Sequence, residues 1–259
     1  MDIAIRGIDS RERFSGIEIA LGVVSEKGEA QISRDGIFIG GALASEKFRG
    51  IGVGMCVNAK KTRGVVMGGV AGGDDLVGVG IGVISGSNHL RGLNIGITTL
   101  SLEKMEGAVI GIINLIGKQE RSDYGTAEAR GAELALLGNY TNGTATGAFL
   151  SGVFNYSSTL DGLAVSGVAN YNKGARGVQV SAINYTSENL QGVQIGGINV
   201  ARDCMRGVQL GLFNGCGEDA AGLQIGAINY RSGAPWYARV VPGFAVRKKR
   251  ETKAPTPKS

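Results

Sequence analysis

Few residues in this chain of 259 amino acids could do chemistry, and their spacing argues against most of it. The only histidine, His89, sits in Ser87-Asn88-His89-Leu90, which reads as a solvated turn. One imidazole excludes multi-histidine metal centres, and no nucleophile is paired with it. Ser151, Ser166 and Ser181 recur at one position of a repeating unit, so packing accounts for them. Gly78-Val-Gly80-Ile-Gly82 lacks the GxGxxG spacing, the following helix and the lysine of a phosphate loop. Gly72-Gly73-Asp74-Asp75 resembles half a calcium turn but occurs once. Cys56, Cys204 and Cys216 form no CxxC pair, and free small side chains are expected, with a Cys204–Cys216 bridge as the minor alternative. Four Asn-x-Ser/Thr sequons, at Asn139, Asn142, Asn155 and Asn184, read as turn chemistry. No catalytic, cofactor or metal site is expected.

One charge cluster stands out: Arg247, Lys248, Lys249 and Arg250. Residues 247–259 hold six basic residues and Glu251, a net +5, which equals the charge of the whole chain. The body, residues 1–246, is therefore neutral. The tail is expected to be disordered and to supply the contact with an anionic membrane or a partner. No specific nucleic-acid signal is present. Met1-Asp2-Ile3-Ala4-Ile5-Arg6 does not read as a signal peptide, which points to a cytoplasmic chain. The longest near-apolar stretch, 107–117, is too short for a membrane helix.

The elements carrying these residues come from a repeat. Glycine makes up 45 residues, proline only 4. Glycines recur at 36, 50, 64, 78, 92, 107, 131, 147, 162, 177, 192, 207 and 222, mostly 14 or 15 apart, giving thirteen units over 36–236. An aliphatic residue usually follows each glycine, as Ile37, Ile51 and Val193 do, and another stands two further on, as Ile39, Val53 and Ile195 do. Between them is a variable residue that becomes Gln179, Gln194, Gln209 and Gln224. Then come a small residue, an asparagine in most later units (Asn114 to Asn229), often a tyrosine, and a polar turn. An apolar residue such as Phe48, Leu90 or Met205 commonly stands two before the next glycine. Period-two alternation with β-branched residues predicts an all-β fold with one strand per unit.

Two architectures fit. One is an antiparallel meander of about thirteen or more strands, curled or closed into a barrel-like sheet. The other is a parallel β-solenoid with one unit per coil and stacked asparagines. The asparagine column favours the solenoid. The meander is preferred on three grounds: a 14–15-residue coil has little interior room, neither terminus offers a cap helix, and Ala238–Val246 alternates like a strand that could pair with Gly16–Val24. The expected organisation is one β-repeat domain, 1–246, with an inserted polar loop at Lys118–Arg130, and the tail 247–259.

The units Gly192-Val-Gln-Ile-Gly-Gly-Ile-Asn199, Gly207-Val-Gln-Leu-Gly-Leu-Phe-Asn214 and Gly222-Leu-Gln-Ile-Gly-Ala-Ile-Asn229 resemble those of bacterial surface repeat-containing proteins, as does the ending Ala234-Pro235-Trp236-Tyr237-Ala238-Arg239. That resemblance implies a cell-envelope location and supplies no catalytic residues. The expected function is a non-enzymatic structural or binding protein of the envelope whose apolar interior holds lipid or another apolar ligand. The alternatives are an integral outer-membrane β-barrel and a soluble scaffold for protein–protein interaction.

Overall fold

How closely two units can approach is decided at the repeated glycine. In the computed structural model, which describes residues 2–6, 14–25, 33–117, 127–232 and 234–247, each glycine stacks on that of the next unit. Their φ angles run from +126° to +157°, a region that side chains disfavour. A Cβ at any glycine from Gly36 to Gly222 in this column would lie 1.8–2.1 Å from the carbonyl oxygen of the glycine one unit earlier. No other residue type fits there.

The strands are β1 (Asp2–Arg6), β2 (Phe14–Ser25), β3 (Ser33–Ile116), β4 (Ala127–Ser151), β5 (Phe154–Ser166), β6 (Ala169–Val180), β7 (Ile183–Thr186), β8 (Asn189–Ala201), β9 (Cys204–Cys216), β10 (Asp219–Arg231) and β11 (Val240–Arg247). A 3-10 turn, Trp236–Ala238, precedes β11. The pairings from β1 through β10 are parallel, and like meets like: Gly192 with Gly207, Gln194 with Gln209, Asn199 with Asn214. Each unit of 14–15 residues is one coil of a parallel β-solenoid. No described helix is long and apolar enough to cross a membrane.

This corrects the preferred antiparallel meander in favour of its alternative. A meander would bring every second glycine to the opposite end of its neighbour, whereas the observed register needs every glycine beside a glycine. The objection about room also falls. Each coil sends about four side chains inward: the residue two before the glycine, the residue two after it, the asparagine, and the residue two beyond that. Phe48, Leu76, Leu90, Met105, Leu160, Leu190 and Met205 form the apolar part of this thin core, each fully buried. Burying one such side chain stabilises the fold by about 1.5–3 kcal/mol.

The closing segment behaves differently from expectation. It pairs antiparallel with the last coil, Gly222 opposite Arg247 and Tyr230 opposite Val240, and not with Gly16–Val24. It caps the stack where a helix had been sought. The inserted loop is also shorter than expected. Residues 127–130 already belong to β4, with Glu128 and Arg130 paired to Lys104 and Glu106; residues 118–126 lie outside the described residues.

A glycine-column substitution should therefore be severe. Gly192→Ala is expected to cost upward of ~3 kcal/mol. Gly215→Ala, whose Cβ would meet nothing nearer than 3.9 Å, should change stability by less than ~0.5 kcal/mol. Urea denaturation of the two variants measures both.

Candidate functional site

The inward and outward faces are sorted in an unusual way. The residue two after the glycine points inward, so Gln179, Gln194, Gln209 and Gln224 are buried at 0–2% exposure. The aliphatic residues on either side of it point outward. Ile39 is 46% exposed, Ile51 45% and Ile225 44%. The column read from sequence as variable is core, and the aliphatic columns are surface.

The buried amides are satisfied by stacking. Asn114, Asn139, Asn155, Asn170, Asn184, Asn199 and Asn214 each donate one Nδ2 hydrogen to Oδ1 of the asparagine in the following coil, at 2.8–3.0 Å. The other hydrogen goes to the carbonyl of the outward aliphatic residue three after that coil's glycine, at 2.9–3.1 Å. Asn229, the last rung, donates to the carbonyls of Val241 and Gly243 in β11. The glutamines run the other way: Gln194, Gln209 and Gln224 donate to Oε1 of the preceding coil's glutamine at 2.7–2.8 Å. Outside, Tyr140, Tyr156, Tyr171 and Tyr185 stack face to face with ring centres 4.6–5.5 Å apart.

Three of the four sequon asparagines are absorbed by this ladder. Asn139, Asn155 and Asn184, the heads of three sequons, are buried rungs in strands and not turn residues, and Asn142 is buried as well. Ser181 lies 2.9 Å from Asn184 Oδ1 at a coil corner. Gly78, Gly80 and Gly82 sit at backbone contacts or against interior side chains. His89, expected in a turn, lies in β3 and belongs to a solvated rail of strand residues: Nδ1 is 2.9 Å from Asp75 Oδ1 and Nε2 3.2 Å from Glu103 Oε2, in the neighbouring coils. Asp74 accepts from Asn88 at 3.2 Å. Further along the rail Glu46 bonds Lys60 at 2.6 Å and holds its ammonium pKa above the usual value. The hydrogen bond from Lys104, 2.8 Å away, holds the Glu106 carboxyl below its own. Cys56, Cys204 and Cys216 are not joined by a disulfide. Of the basic cluster, Arg247 ends β11, and Lys248, Lys249 and Arg250 lie outside the described residues.

Two buried charged sites were not foreseen. Arg34 and Glu18, both 2% exposed, pair at 2.6 Å inside the N-terminal coils. Glu133 occupies the glutamine column with no exposure, and Thr141 Oγ1 donates to its Oε1 at 2.9 Å. Its Oε2 has no partner among the described residues. Burial pushes this carboxyl up to about 8, the Thr141 bond opposing weakly.

The remaining candidate is a surface. The outward aliphatics one and three after each glycine form two parallel files. A small residue follows, and then a second exposed apolar band that includes Met55, Ile84, Ile97, Leu136, Phe154, Ile198 and Phe213. With coils ~4.8 Å apart, this flank runs about 60 Å from the Gly36 coil to the Gly222 coil. β11 continues it: Phe244 lies opposite Ile225 and Val246 opposite Leu223, both highly exposed. A shallow groove of about 560 Å³ opens in it, lined by Ile39, Gly40, Val53, Gly54, Met55, Gly68 and Gly69. An apolar surface of this extent is the candidate site for an interaction.

Two predictions concern the interior. Asn199→Ala removes a rung and leaves buried polar groups of both neighbouring coils unpaired, so it should cost about 3 kcal/mol by urea denaturation. Glu133 keeps a proton in the folded chain that the unfolded chain releases near 4.5. Its contribution to stability is complete below about 4.5, falls as pH rises and is gone above about 8. Melting temperatures across this window should drop in the native chain, and Glu133→Gln should flatten that part of the profile.

Compared with known proteins, the chain matches no family model, no curated protein and no solved structure. Its function must be read from the flank itself.

Proposed function

We propose that this chain is a non-enzymatic structural protein that lies along a membrane of the bacterial envelope, its apolar flank turned to the lipid. One observation carries this: the ordered files of Ile, Val and Leu on the outside of a fold whose inside is stacked amides. Solvated repeat proteins gain nothing from such a surface, and each exposed aliphatic residue left in water is a cost that contact with acyl chains removes. The flank is continuous from coil to coil, so it offers an extended apolar surface along the stack. The interior is filled by buried apolar side chains and the amide ladders, which moves an apolar ligand from inside the fold, where the sequence had suggested it, to this outer face. A closed antiparallel wall of the outer-membrane barrel type finds no support in coils stacked in parallel.

Charges placed on the flank should abolish attachment without harming the fold, because these side chains point outward. The doubly substituted variant Ile195→Asp, Leu210→Asp should keep the native circular dichroism spectrum. Its co-sedimentation with phosphatidylcholine vesicles should fall by about tenfold or more, as expected from losing two apolar contacts and adding two charges at the interface. Unchanged sedimentation of this variant would refute the reading.

A further inference from the structure

The residue immediately before the repeated glycine forms a file of its own. It is Arg49, Arg63, Arg91, Arg130, Arg176 and Arg206 in six coils, all exposed, against three acids, Asp35, Glu106 and Asp161. Six minus three leaves this file at +3, although the body of the chain is neutral. The file stands two residues before the nearer aliphatic file, across the repeated glycine, and is exposed as that file is. On its other side the file adjoins the rail of Glu46, Lys60, Asp75, His89 and Glu103, two or three residues nearer the N-terminus, and Arg63 and Arg91 share one groove with Asp75 and His89. The arginine file thus lies between this rail and the apolar flank.

We infer that this arginine file binds the phosphate headgroups of anionic lipid and fixes the side on which the solenoid lies down. The inference rests on the flank reading above and adds the headgroup chemistry to it. With the aliphatic files against acyl chains, the adjacent arginines extend to the phosphate level, their stems staying in apolar surroundings. Guanidinium matches phosphate oxygens bidentately, which an ammonium does not. Arg91 and Arg130 already have acids beside them, Glu106 at 3.2 Å and Glu128 at 3.3 Å. Arg49, Arg63, Arg176 and Arg206 are therefore the four to test. The first two lie on successive coils, so their headgroup contacts are neighbours.

The test compares vesicles of phosphatidylcholine with vesicles that also contain phosphatidylglycerol, by co-sedimentation at low and high salt. The native chain should prefer the anionic vesicles by about tenfold or more, and salt should erase the preference. The variant with Arg49, Arg63, Arg176 and Arg206 all changed to Gln should bind phosphatidylcholine as the native chain does and lose the preference. A variant with Lys248, Lys249 and Arg250 changed to Gln should keep it. A preference that survives the four arginine substitutions, or that disappears with the tail substitutions alone, overturns the inference. Equal native binding to both vesicles overturns it while leaving the flank reading intact. Binding to neither overturns both and assigns the flank to a protein partner.

Discussion

The structure depends on one close approach. At each repeat, the carbonyl of one glycine occupies the space where the next glycine's Cβ would be. That contact permits the coils to stack in register and fixes the parallel direction, since only glycine can face glycine there. Once the register is set, every other column must also meet itself. A column of identical side chains is then either self-complementary or a liability. Amides, flat aromatic rings and aliphatics pass this test. Unbroken files of one charge do not, which is why the charged columns alternate in sign, dilute their charge with neutral residues or border a surface that can neutralise them.

The same constraint accounts for the inversion of polar and apolar residues. A coil this narrow buries too few methylene groups for an aliphatic core alone. Stacked amides fill a small section and satisfy each other along the axis, so burial carries no unpaired-group penalty. The thin core, in turn, releases the aliphatic residues to the outside. In the N-terminal coils the asparagine column becomes Leu43, Val57, Ala71, Ser85 and Thr99, and the ladder gives way to packing. Ser85 and Asn94 in that part are buried without partners among the described residues.

The unit length, the glycine column and the β-class were legible in the sequence; strand direction was not, although the asparagine column spoke for the solenoid against the preferred meander. What misled was the interior. Ile39 and Ile195 look like core residues by type, and the variable residue between such aliphatics looks like surface. Alternation fixes which residues share a face but not which face is wet. A cue was present: apart from Glu18 and Glu133, the position two after the glycine carries no charge in any unit, whereas the position before the glycine is arginine in six. A position that accepts Phe38, Val66, Phe149 and four glutamines yet no lysine or arginine is enclosed. The reversed strand β11 was legible as a strand, but its partner was not. Its period-two pattern suits any edge, and the last coil is the edge it meets first.

β11 has a consequence best put in the language of polymer growth. A stack of parallel coils is a template at each end, able to accept another strand in register from any chain that offers one. The donors of the asparagine ladder all point toward the C-terminal end, so that end would be the propagating one. There Asn229 finds its acceptors on Val241 and Gly243 of a strand running backward. A reversed strand consumes the open hydrogen bonds but cannot present glycine, glutamine and asparagine in the order the next coil would need. It acts as a chain terminator, and the solenoid ends as a molecule of defined length instead of continuing as a fibre.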